Sequence, residues 1–326
     1  MTRLRWGLIG TARINRAIIG VLRESPRAEL SAVASRRAET AEAYAAEWKI
    51  PHAVSPYEAL LDRDDIDAVY IGLPNTMHVE WSVRALDAGK HVLCEKPLAL
   101  TPDGVDAIAA AAVKNRRVAA EGFMYRHHPL TRAVLGAIDS GQLGAIRLIR
   151  GAFSFLLQGR EPDIRTDPAL GGGSLWDVGC YPASYACLIR NAPPVEVFGC
   201  QVTNANGVDL SFSGIMRFDG GVLAQFDSGF QSTFRSDMEI VGSDGALRVE
   251  RPFKAGPDSR LVLVRDDEQI SLPFTPDPPY SGELADFTAA VLDGAPHPLP
   301  LSESRRTARV LTALYASAAA NAPVRL

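Results

Sequence analysis

The chain has 326 residues, of which 47% are hydrophobic and 22% are charged, a composition typical of a globular protein with room for two domains. The formal net charge of −4 argues against nucleic acid or an anionic membrane as a partner. No apolar run approaches the roughly 20 residues that span a bilayer. The first residues lack the pattern of a signal peptide, and the four cysteines form no C-x-x-C pair. We therefore expect a cytoplasmic protein with reduced thiols.

Segments typical of strands and helices alternate along the first 125 residues. The predicted strands are residues 4–10, 28–35, 66–74, 91–97 and 117–125, and the predicted helices are residues 12–25, 38–48, 56–65, 78–90 and 103–115. The strands are short apolar runs, whereas the helices carry apolar residues three or four positions apart. This alternation predicts a parallel sheet with helices on both faces, a doubly wound α/β domain over residues 1–125.

The pattern changes near residue 128, where strands follow one another without intervening helices. After a predicted helix at residues 129–141, strands are predicted at residues 146–155, 195–203, 208–218, 221–230, 235–243, 246–250, 260–265 and 269–274, and helices at residues 282–294 and 302–320. Several of these strands alternate polar and apolar residues, as strands with one solvated face do. We predict a second α+β domain over residues 126–326, built on a mostly antiparallel sheet.

The turn after the first strand, "GLIGTARIN", is a partial match to the dinucleotide-binding pattern G-x-G-x-x-G. Gly10 fits, Ala12 is one methyl group larger than the pattern asks, and Asn15 departs from it. Its place between a strand and a helix favours pyrophosphate binding by the free N–H groups of the helix N-terminus. An ordinary strand-to-helix turn is the alternative. The predicted cofactor turn consists of Gly10, Thr11, Ala12, Arg13 and Ile14.

The end of the second predicted strand indicates which dinucleotide is preferred. Proteins that hold the ribose of NAD usually place Asp or Glu there, but this chain has Ser35, Arg36 and Arg37. A hydroxyl and guanidinium groups would bind the 2′-phosphate of NADP with charge-assisted hydrogen bonds. We predict NADP as the cofactor, with NAD remaining possible. The alternative is that the two arginines belong to a solvated loop.

Five motifs stand in an order and spacing that resemble a known family: "GLIGTARI", "LPNTMH", "AGKHVLCEKPLAL", "GFMYRHHP" and "GGGSLWDVGCY". They resemble the glucose–fructose oxidoreductase / inositol dehydrogenase (Gfo/Idh/MocA) family, and most of all its dihydrodiol and D-xylose dehydrogenase branch. The resemblance implies an N-terminal Rossmann domain and a C-terminal open antiparallel sheet that often mediates oligomers. It also implies reversible oxidation of a carbinol carbon in a sugar, polyol or cyclic diol, by a homodimer or homotetramer.

The same resemblance places Lys96, Asp177 and Tyr181 at the reacting carbon. Oxidation of a carbinol requires a group that takes the hydroxyl proton. We predict Tyr181 as that group and Lys96 as the cation that stabilises the developing charge, with the reverse assignment open. Asp177 and Tyr181 lie four residues apart, on one face if the segment is helical, and Asp177 is predicted to orient a substrate hydroxyl or Lys96.

Further cofactor contacts are implied by the resemblance alone. They are Leu73, Pro74, Asn75, His78, Glu95, Lys96 and Arg165. The family's "EKP" motif also predicts a cis Lys96–Pro97 bond. His127 and His128 are adjacent and would point in opposite directions on a strand, so no metal site is predicted.

Two other functions remain open at this stage. An NAD-dependent glycosidase on the same scaffold would oxidise a sugar transiently and return it, with no net turnover of the cofactor. A non-catalytic NADP sensor is the second alternative, and the presence of Lys96, Asp177 and Tyr181 argues against it. The sequence does not identify the substrate, because the loops of the second domain that would select it carry no transferable pattern.

Overall fold

The computed structural model describes residues 2–158, 163–266 and 268–326, which divide into two compact units. The first unit consists of Met1–Arg126 and Tyr280–Arg305, and the second consists of His127–Pro279 and Arg306–Leu326. The predicted domain boundary between residues 125 and 126 stays a prediction. The units differ from it because Tyr280–Arg305, predicted in the second domain, packs within the first unit.

Long-range contacts explain why the chain returns to the first unit. The buried ring of Phe287 lies 5.1 Å from the ring of Trp6, measured between centroids. Arg27 forms a paired salt bridge with Asp293, at 2.7 and 2.8 Å. These partners are more than 250 residues apart in sequence (|i−j| = 266 for the ion pair), and local periodicity carries no information about such contacts.

The first unit contains a parallel sheet of six strands in its described part, with the strand order β3-β2-β1-β4-β5-β6. The strands are Leu4–Ile9 (β1), Ala28–Ala34 (β2), His52–Val54 (β3), Ala68–Ile71 (β4), His91–Glu95 (β5) and Ala119–Gly122 (β6). The helices are Asn15–Glu24 (α1), Ala38–Trp48 (α2), Tyr57–Leu61 (α3), His78–Asp87 (α4), Pro102–Asn115 (α5) and, after the return, Ser281–Leu292 (α8).

This strand order confirms the predicted doubly wound α/β fold, because the order reverses direction between β1 and β4. The central strands are covered on both faces, which is why they are continuous apolar runs: every residue of β4 is buried. Strand β3 was not predicted. It has three residues, all at least partly exposed, so it lacks the apolar pattern of the other strands.

The second unit is built on a nine-stranded sheet in its described part, with the order β14-β13-β12-β11-β7-β10-β9-β8-β15. The strands are Ile146–Leu156 (β7), Glu196–Thr203 (β8), Asp209–Arg217 (β9), Leu223–Gly229 (β10), Gln231–Gly242 (β11), Ala246–Glu250 (β12), Arg260–Arg265 (β13), Glu268–Ser271 (β14) and Val324–Arg325 (β15). Helices Pro129–Asp139 (α6) and Cys180–Arg190 (α7) precede and interrupt them, and Leu301–Ala320 (α9) begins in the first unit and ends in this one.

All neighbouring strands of this sheet are antiparallel except β7 and β10, which confirms the predicted mostly antiparallel sheet. Strand β9 shows the predicted alternation, with Phe212, Gly214 and Met216 buried and the residues between them exposed. Helix α7 and strand β15 were not predicted. No helix in the described residues is long and apolar enough to cross a membrane.

Candidate active site

The turn after β1 requires glycine at one position. Gly10 has a φ of 95°, a conformation that residues with a side chain rarely adopt. A Cβ at this position would lie 2.8 Å from Cδ2 of Leu73. The Gly10 N–H donates to the carbonyl of Ala34 at the end of β2 (3.0 Å), so the turn and the end of β2 lie side by side.

Asn15 stands where the dinucleotide pattern has its third glycine, and the structure shows what it does there. Its side-chain amide donates to the Gly10 carbonyl at 2.9 Å, and the residue is fully buried. Gly72 makes the room, since a Cβ at residue 72 would lie 2.9 Å from Oδ1 of Asn15. The buried Asn15 side chain therefore stabilises the turn by a hydrogen bond to its first residue. The dinucleotide pattern, which has glycine at this position, does not predict that role.

The backbone between Gly10 and α1 offers N–H groups to a ligand. In the described part of the chain, the N–H groups of residues 11–14 donate to no backbone carbonyl. These residues are partly or fully exposed, and helix α1 begins immediately after them. Unpaired N–H groups at the start of a helix are a favourable environment for a phosphate. The predicted pyrophosphate-binding residues are thus brought together with the geometry that this role requires.

The end of β2 places the three residues predicted to select the cofactor next to this turn. Ser35 is buried, and its N–H donates to the carbonyl of Val54 (3.1 Å), while Arg36 and Arg37 are exposed. Burial raises the pKa of Tyr57, and the nearby Arg36 guanidinium opposes that shift through its charge and a hydrogen bond. Arg36 therefore lies near the side chain of Tyr57 on α3.

The loop after β4 contains four of the residues predicted to contact the cofactor. Leu73 is buried, whereas Pro74 and Asn75 are partly exposed. His78 has no exposed surface, and its ring nitrogens contact two backbone carbonyls: Nδ1 lies 2.8 Å from Pro97 O and Nε2 lies 2.8 Å from Leu73 O. The ring thus presents neither nitrogen to a ligand, so any effect of His78 on a cofactor acts through these two loops.

The turn after β5 carries Lys96. The Lys96–Pro97 bond is cis, which confirms the prediction from the motif. Glu95 accepts a hydrogen bond from the buried Tyr70 hydroxyl at 2.5 Å. Glu95 and Lys96 are both partly exposed, while Pro97 is buried. Because β5 ends at Glu95, the two charged residues lie at the carboxyl end of a parallel sheet, where ligands bind in doubly wound folds.

A second carboxyl group, not predicted as part of the site, lies close to Glu95. Glu283 has no exposed surface, and neither of its carboxyl oxygens has a hydrogen-bond partner in the described residues. Burial raises the pKa of Glu283 well above its ordinary value, and the negative charge of Glu95 raises it further. Both causes also raise the pKa of Tyr280. Burial and the Glu95 charge thus both favour the neutral form of Glu283.

In the second unit, Asp177 and Tyr181 lie on consecutive helical turns. Leu175–Gly179 forms one π-helical turn that contains Asp177, and α7 follows directly with Tyr181 in its first turn. Such turns often occur at functional sites. The Asp177 carboxylate accepts a hydrogen bond from Nε of Arg165 at 2.7 Å. The spacing of four residues is about one turn, so both predicted side chains project from the same side of this segment.

A buried carboxylate that was not predicted anchors this segment. Asp209 accepts hydrogen bonds from the Tyr315 hydroxyl (2.6 Å), the Ser174 hydroxyl (2.7 Å) and the Leu175 N–H (2.8 Å). Gly173 has a φ of 138°, and a Cβ there would lie 2.3 Å from Oδ1 of Asp209. Burial raises the pKa of Asp209, and its three donors oppose that shift. Asp209 therefore fixes the start of the turn that carries Asp177.

The ring of Tyr181 is held by two phenylalanines. Phe153 on β7 meets it edge to face at 5.3 Å between centroids, and Phe253 lies at 5.4 Å. The tyrosine is only 3% exposed. A ring packed in this way has little rotational freedom, so its hydroxyl has a defined position.

The second of the adjacent histidines, His128, is accounted for by hydrogen bonding at the start of α6. Nδ1 of His128 accepts from the Leu130 N–H at 3.0 Å, and Nε2 lies 2.9 Å from the carbonyl of Asp277. His128 is thus an N-cap. In the described residues there is no group of three or more side chains that could hold a metal ion.

The predicted site residues fall into two groups, each within one unit. The first unit holds Gly10, Thr11, Ala12, Arg13, Ile14, Ser35, Arg36, Arg37, Leu73, Pro74, Asn75, His78, Glu95 and Lys96, and the second holds Arg165, Asp177 and Tyr181. In the first unit these residues follow β1, β2, β4 and β5, all at the carboxyl edge of the sheet. Their roles remain predictions.

Two family models match the chain. The model described as "Oxidoreductase family, NAD-binding Rossmann fold" matches residues 4–123. The model described as "GFO/IDH/MocA C-terminal domain" matches residues 131–248.

Curated relatives match over nearly the full length. A "D-xylose 1-dehydrogenase (NADP(+)) 2" from Haloferax volcanii is 36% identical, covering 99% of this chain and 100% of the relative. A "dTDP-3,4-didehydro-2,6-dideoxy-alpha-D-glucose 3-reductase" from Actinomadura kijaniata is 35% identical, covering 97% and 96%.

Solved structures are also similar over nearly the full length of the chain. A 3-ketoreductase from Actinomadura kijaniata, in complex with NADP and TDP-benzene, has a TM-score of 0.90 at 32% identity, covering 97% of this chain and 98% of that one. An aldose-aldose oxidoreductase from Caulobacter crescentus has a TM-score of 0.91 at 24% identity, covering 99% and 100%, and shows the fold alone.

Proposed function

The chain belongs to the Gfo/Idh/MocA oxidoreductase family, and on that premise we propose that it transfers hydride between NADP and a carbinol carbon of a sugar, polyol or cyclic diol. The family membership confirms the prediction from the five motifs. One observation carries the proposal: Lys96, Asp177 and Tyr181 are all present, and each lies on a turn held by buried hydrogen bonds or ring contacts.

The residues present fit a dinucleotide. Gly10 and the unpaired N–H groups of residues 11–14 would hold the pyrophosphate, and Ser35 with Arg36 would hold the 2′-phosphate of the adenosine ribose. The end of β2 offers no carboxylate that would repel that phosphate. Two relatives support NADP as well, since their descriptions name it. When bound, NADP supplies the hydride acceptor or donor.

We expect NADP to bind more tightly than NAD, and Arg36→Ala to remove most of the difference. The guanidinium would form charge-assisted hydrogen bonds with a 2′-phosphate, a contribution of about 1.5–3 kcal/mol, or roughly 10- to 100-fold in Kd. Fluorescence titration of both cofactors against the unmodified protein and the variant measures it. Arg3→Ala, an exposed arginine before β1, is the control for a general charge effect. Equal affinities in the unmodified protein would contradict the prediction.

The hydroxyl proton of the substrate must be removed separately from the hydride. A carbinol becomes a carbonyl only if its hydroxyl proton leaves together with the hydride, so a base must contact that oxygen. We assign this base to the Tyr181 phenolate, which becomes the phenol on taking the proton; the position of its ring is fixed by Phe153 and Phe253. The Lys96 ammonium would stabilise the negative charge that develops on the substrate oxygen. Asp177, paired with Arg165, would accept a hydrogen bond from a neighbouring substrate hydroxyl.

A substrate screen tests the function directly. The unmodified protein is incubated with NADP and a panel of aldoses, inositols and cyclic diols, and NADPH formation is followed by absorbance. We expect at least one class to reduce NADP. The panel begins with D-xylose, because the Haloferax relative is named for it. If no member of the panel reduces NADP and no corresponding ketone oxidises NADPH, the proposal fails.

We further propose that the chain forms a homodimer or homotetramer through the solvated face of the nine-stranded sheet. This face carries the exposed apolar residues Ile215 and Leu223. It also carries charged side chains of both signs, such as the ion pair of Arg235 with Asp227 at 2.7 Å. A face with charges of both signs can be complementary to a second copy of itself. We expect light scattering to give a mass of two or four times 35.1 kDa. Ile215→Glu should lower it, and a monomeric unmodified protein would contradict the proposal.

A cytoplasmic location remains part of the proposal. It rests on the reduced thiols expected from the sequence; Cys94, Cys180 and Cys187 are buried, and Cys200 is exposed.

A further inference from the structure

We propose that Tyr70, His78 and Glu121 are positioning residues, which together fix the backbone on both sides of Lys96. The inference rests on the proposed function in one respect: the Lys96 ammonium must have a defined position for the chemistry. The three residues belong to three different elements, β4, α4 and β6, and each contacts one residue of the segment 95–98. We call this arrangement the Lys96 clamp.

His78 contacts the residue that follows Lys96. Its Nδ1 lies 2.8 Å from the carbonyl oxygen of Pro97, and its other nitrogen lies equally close to the carbonyl of Leu73. The ring thus lies between the loops after β4 and β5; because both partners are carbonyls, a neutral ring donates to one of them at a time and an imidazolium to both. Burial lowers the pKa of His78, and the Lys96 charge lowers it further, while the two carbonyls oppose these effects. A proline has no N–H of its own, so this carbonyl is the polar backbone group through which the residue can be held.

Glu121 and Tyr70 hold the residues next to that contact. The Leu98 N–H donates to Oε1 of Glu121 at 2.9 Å, and the Tyr70 hydroxyl donates to Oε1 of Glu95 at 2.5 Å. The other Glu95 oxygen, Oε2, accepts from the Lys96 N–H at 3.3 Å, so Tyr70 acts on the backbone through the Glu95 carboxylate. The ladder between β5 and β6 ends where Glu95 pairs with Gly122, so backbone pairing no longer restrains the chain beyond this point. Side-chain hydrogen bonds replace it.

The burial of these groups indicates that the Lys96 clamp positions the Lys96 turn more than it stabilises the folded protein. Tyr70 and His78 have no exposed surface, and Glu121 is 2% exposed. Burying an ionisable side chain for one hydrogen bond contributes little net stability, and an apolar residue of similar volume usually does as well. Three such groups converge on the four residues around Lys96. Their common consequence is a turn with one backbone conformation.

The test compares two variants that differ in one hydrogen bond. In His78→Asn, the amide nitrogen can occupy the place of Nδ1 and donate to Pro97. In His78→Leu, the side chain branches at the same atom but has no donor. Both lack the contact with Leu73, so their comparison isolates the contact with Pro97. Glu121→Gln, which keeps the acceptor for Leu98, and Glu121→Leu form a second pair that repeats the test from β6, and they decide it if His78→Leu does not fold.

Hydrogen–deuterium exchange of peptides covering residues 95–100 is the first readout, and it needs no substrate. We expect exchange there to be about tenfold faster in each Leu variant than in its polar partner, because the segment opens locally. The second readout is kcat with the best substrate of the screen. We expect about 10²-fold lower kcat in the Leu variants, the effect of misplacing a reacting group by about 1 Å, and NADP affinities within about threefold in each pair.

Each outcome bears on one claim. Rescue of exchange and of kcat by Asn and Gln supports the Lys96 clamp. Equal exchange within both pairs overturns it, whatever the turnover. If the unmodified protein has no turnover on any substrate, the proposed function fails, while the exchange comparison still decides whether the three residues hold the turn.

Discussion

Replacing Lys96 by methionine should lower kcat by about 10²–10⁴-fold, the range expected when an acid–base group or its charged partner is lost. Methionine keeps the length of the side chain and removes its charge. Affinity for NADP should change far less, because the predicted 2′-phosphate contacts lie at the end of β2 and not on the turn after β5. Lys114→Met, an exposed lysine at the end of α5, is the control and should be near normal.

Tyr181→Phe should lower kcat over the same range of about 10²–10⁴-fold, because it keeps the packed ring and removes only the proton. If the two residues form one proton-handling unit, the double variant should be little worse than the poorer single variant. Tyr185→Phe, one turn further along α7, is the matched control. Near-normal turnover in Tyr181→Phe alone would move the proton role to Lys96. Near-normal turnover in both single variants would refute the site.

Asp209→Ala should lower the free energy of unfolding by about 3 kcal/mol or more, because it leaves three donors, two of them fully buried, without their acceptor. Those donors are the Tyr315 hydroxyl on α9, and the Ser174 hydroxyl and the Leu175 N–H at the start of the turn that carries Asp177. Chemical denaturation measures the effect, and Asp219→Ala, an exposed aspartate in the same unit, should change the stability little. A loss of less than about 1 kcal/mol would show that water replaces the carboxylate and that Asp209 is not an anchor.

The two sheets could be predicted because their strands carry distinct local patterns. Fully buried strands such as β4 are continuous apolar runs, and half-solvated strands such as β9 alternate. Strand β3 carries neither pattern, since it lies exposed at the sheet edge. The position of α8 could not be predicted at all: its sequence pattern is the same whichever unit it packs against, and long-range contacts such as Phe287 with Trp6 and Arg27 with Asp293 decide.

The candidate site was predictable where its chemistry lies in motifs, and not where it depends on support from other elements. Lys96 and its cis bond follow from the "EKP" motif. Asp209 could not be predicted, because its three donors come from segments 34 to 106 residues away in sequence. His78 shows the limit of a family match: the residue is in its expected place, but its ring contacts backbone carbonyls of two loops.

The transfer of deuterium to the cofactor tests the central claim most directly. The best alcohol substrate of the screen is prepared with deuterium on the carbinol carbon and incubated with NADP, and the reduced cofactor is analysed by mass spectrometry. The proposed dehydrogenase must accumulate NADPH that carries the deuterium, in an amount equal to the ketone or lactone formed. Product without net reduction of the cofactor would indicate an enzyme that oxidises and then restores its sugar. Reduced cofactor without deuterium would show that the hydride does not come from the carbinol carbon, and either result would contradict the account.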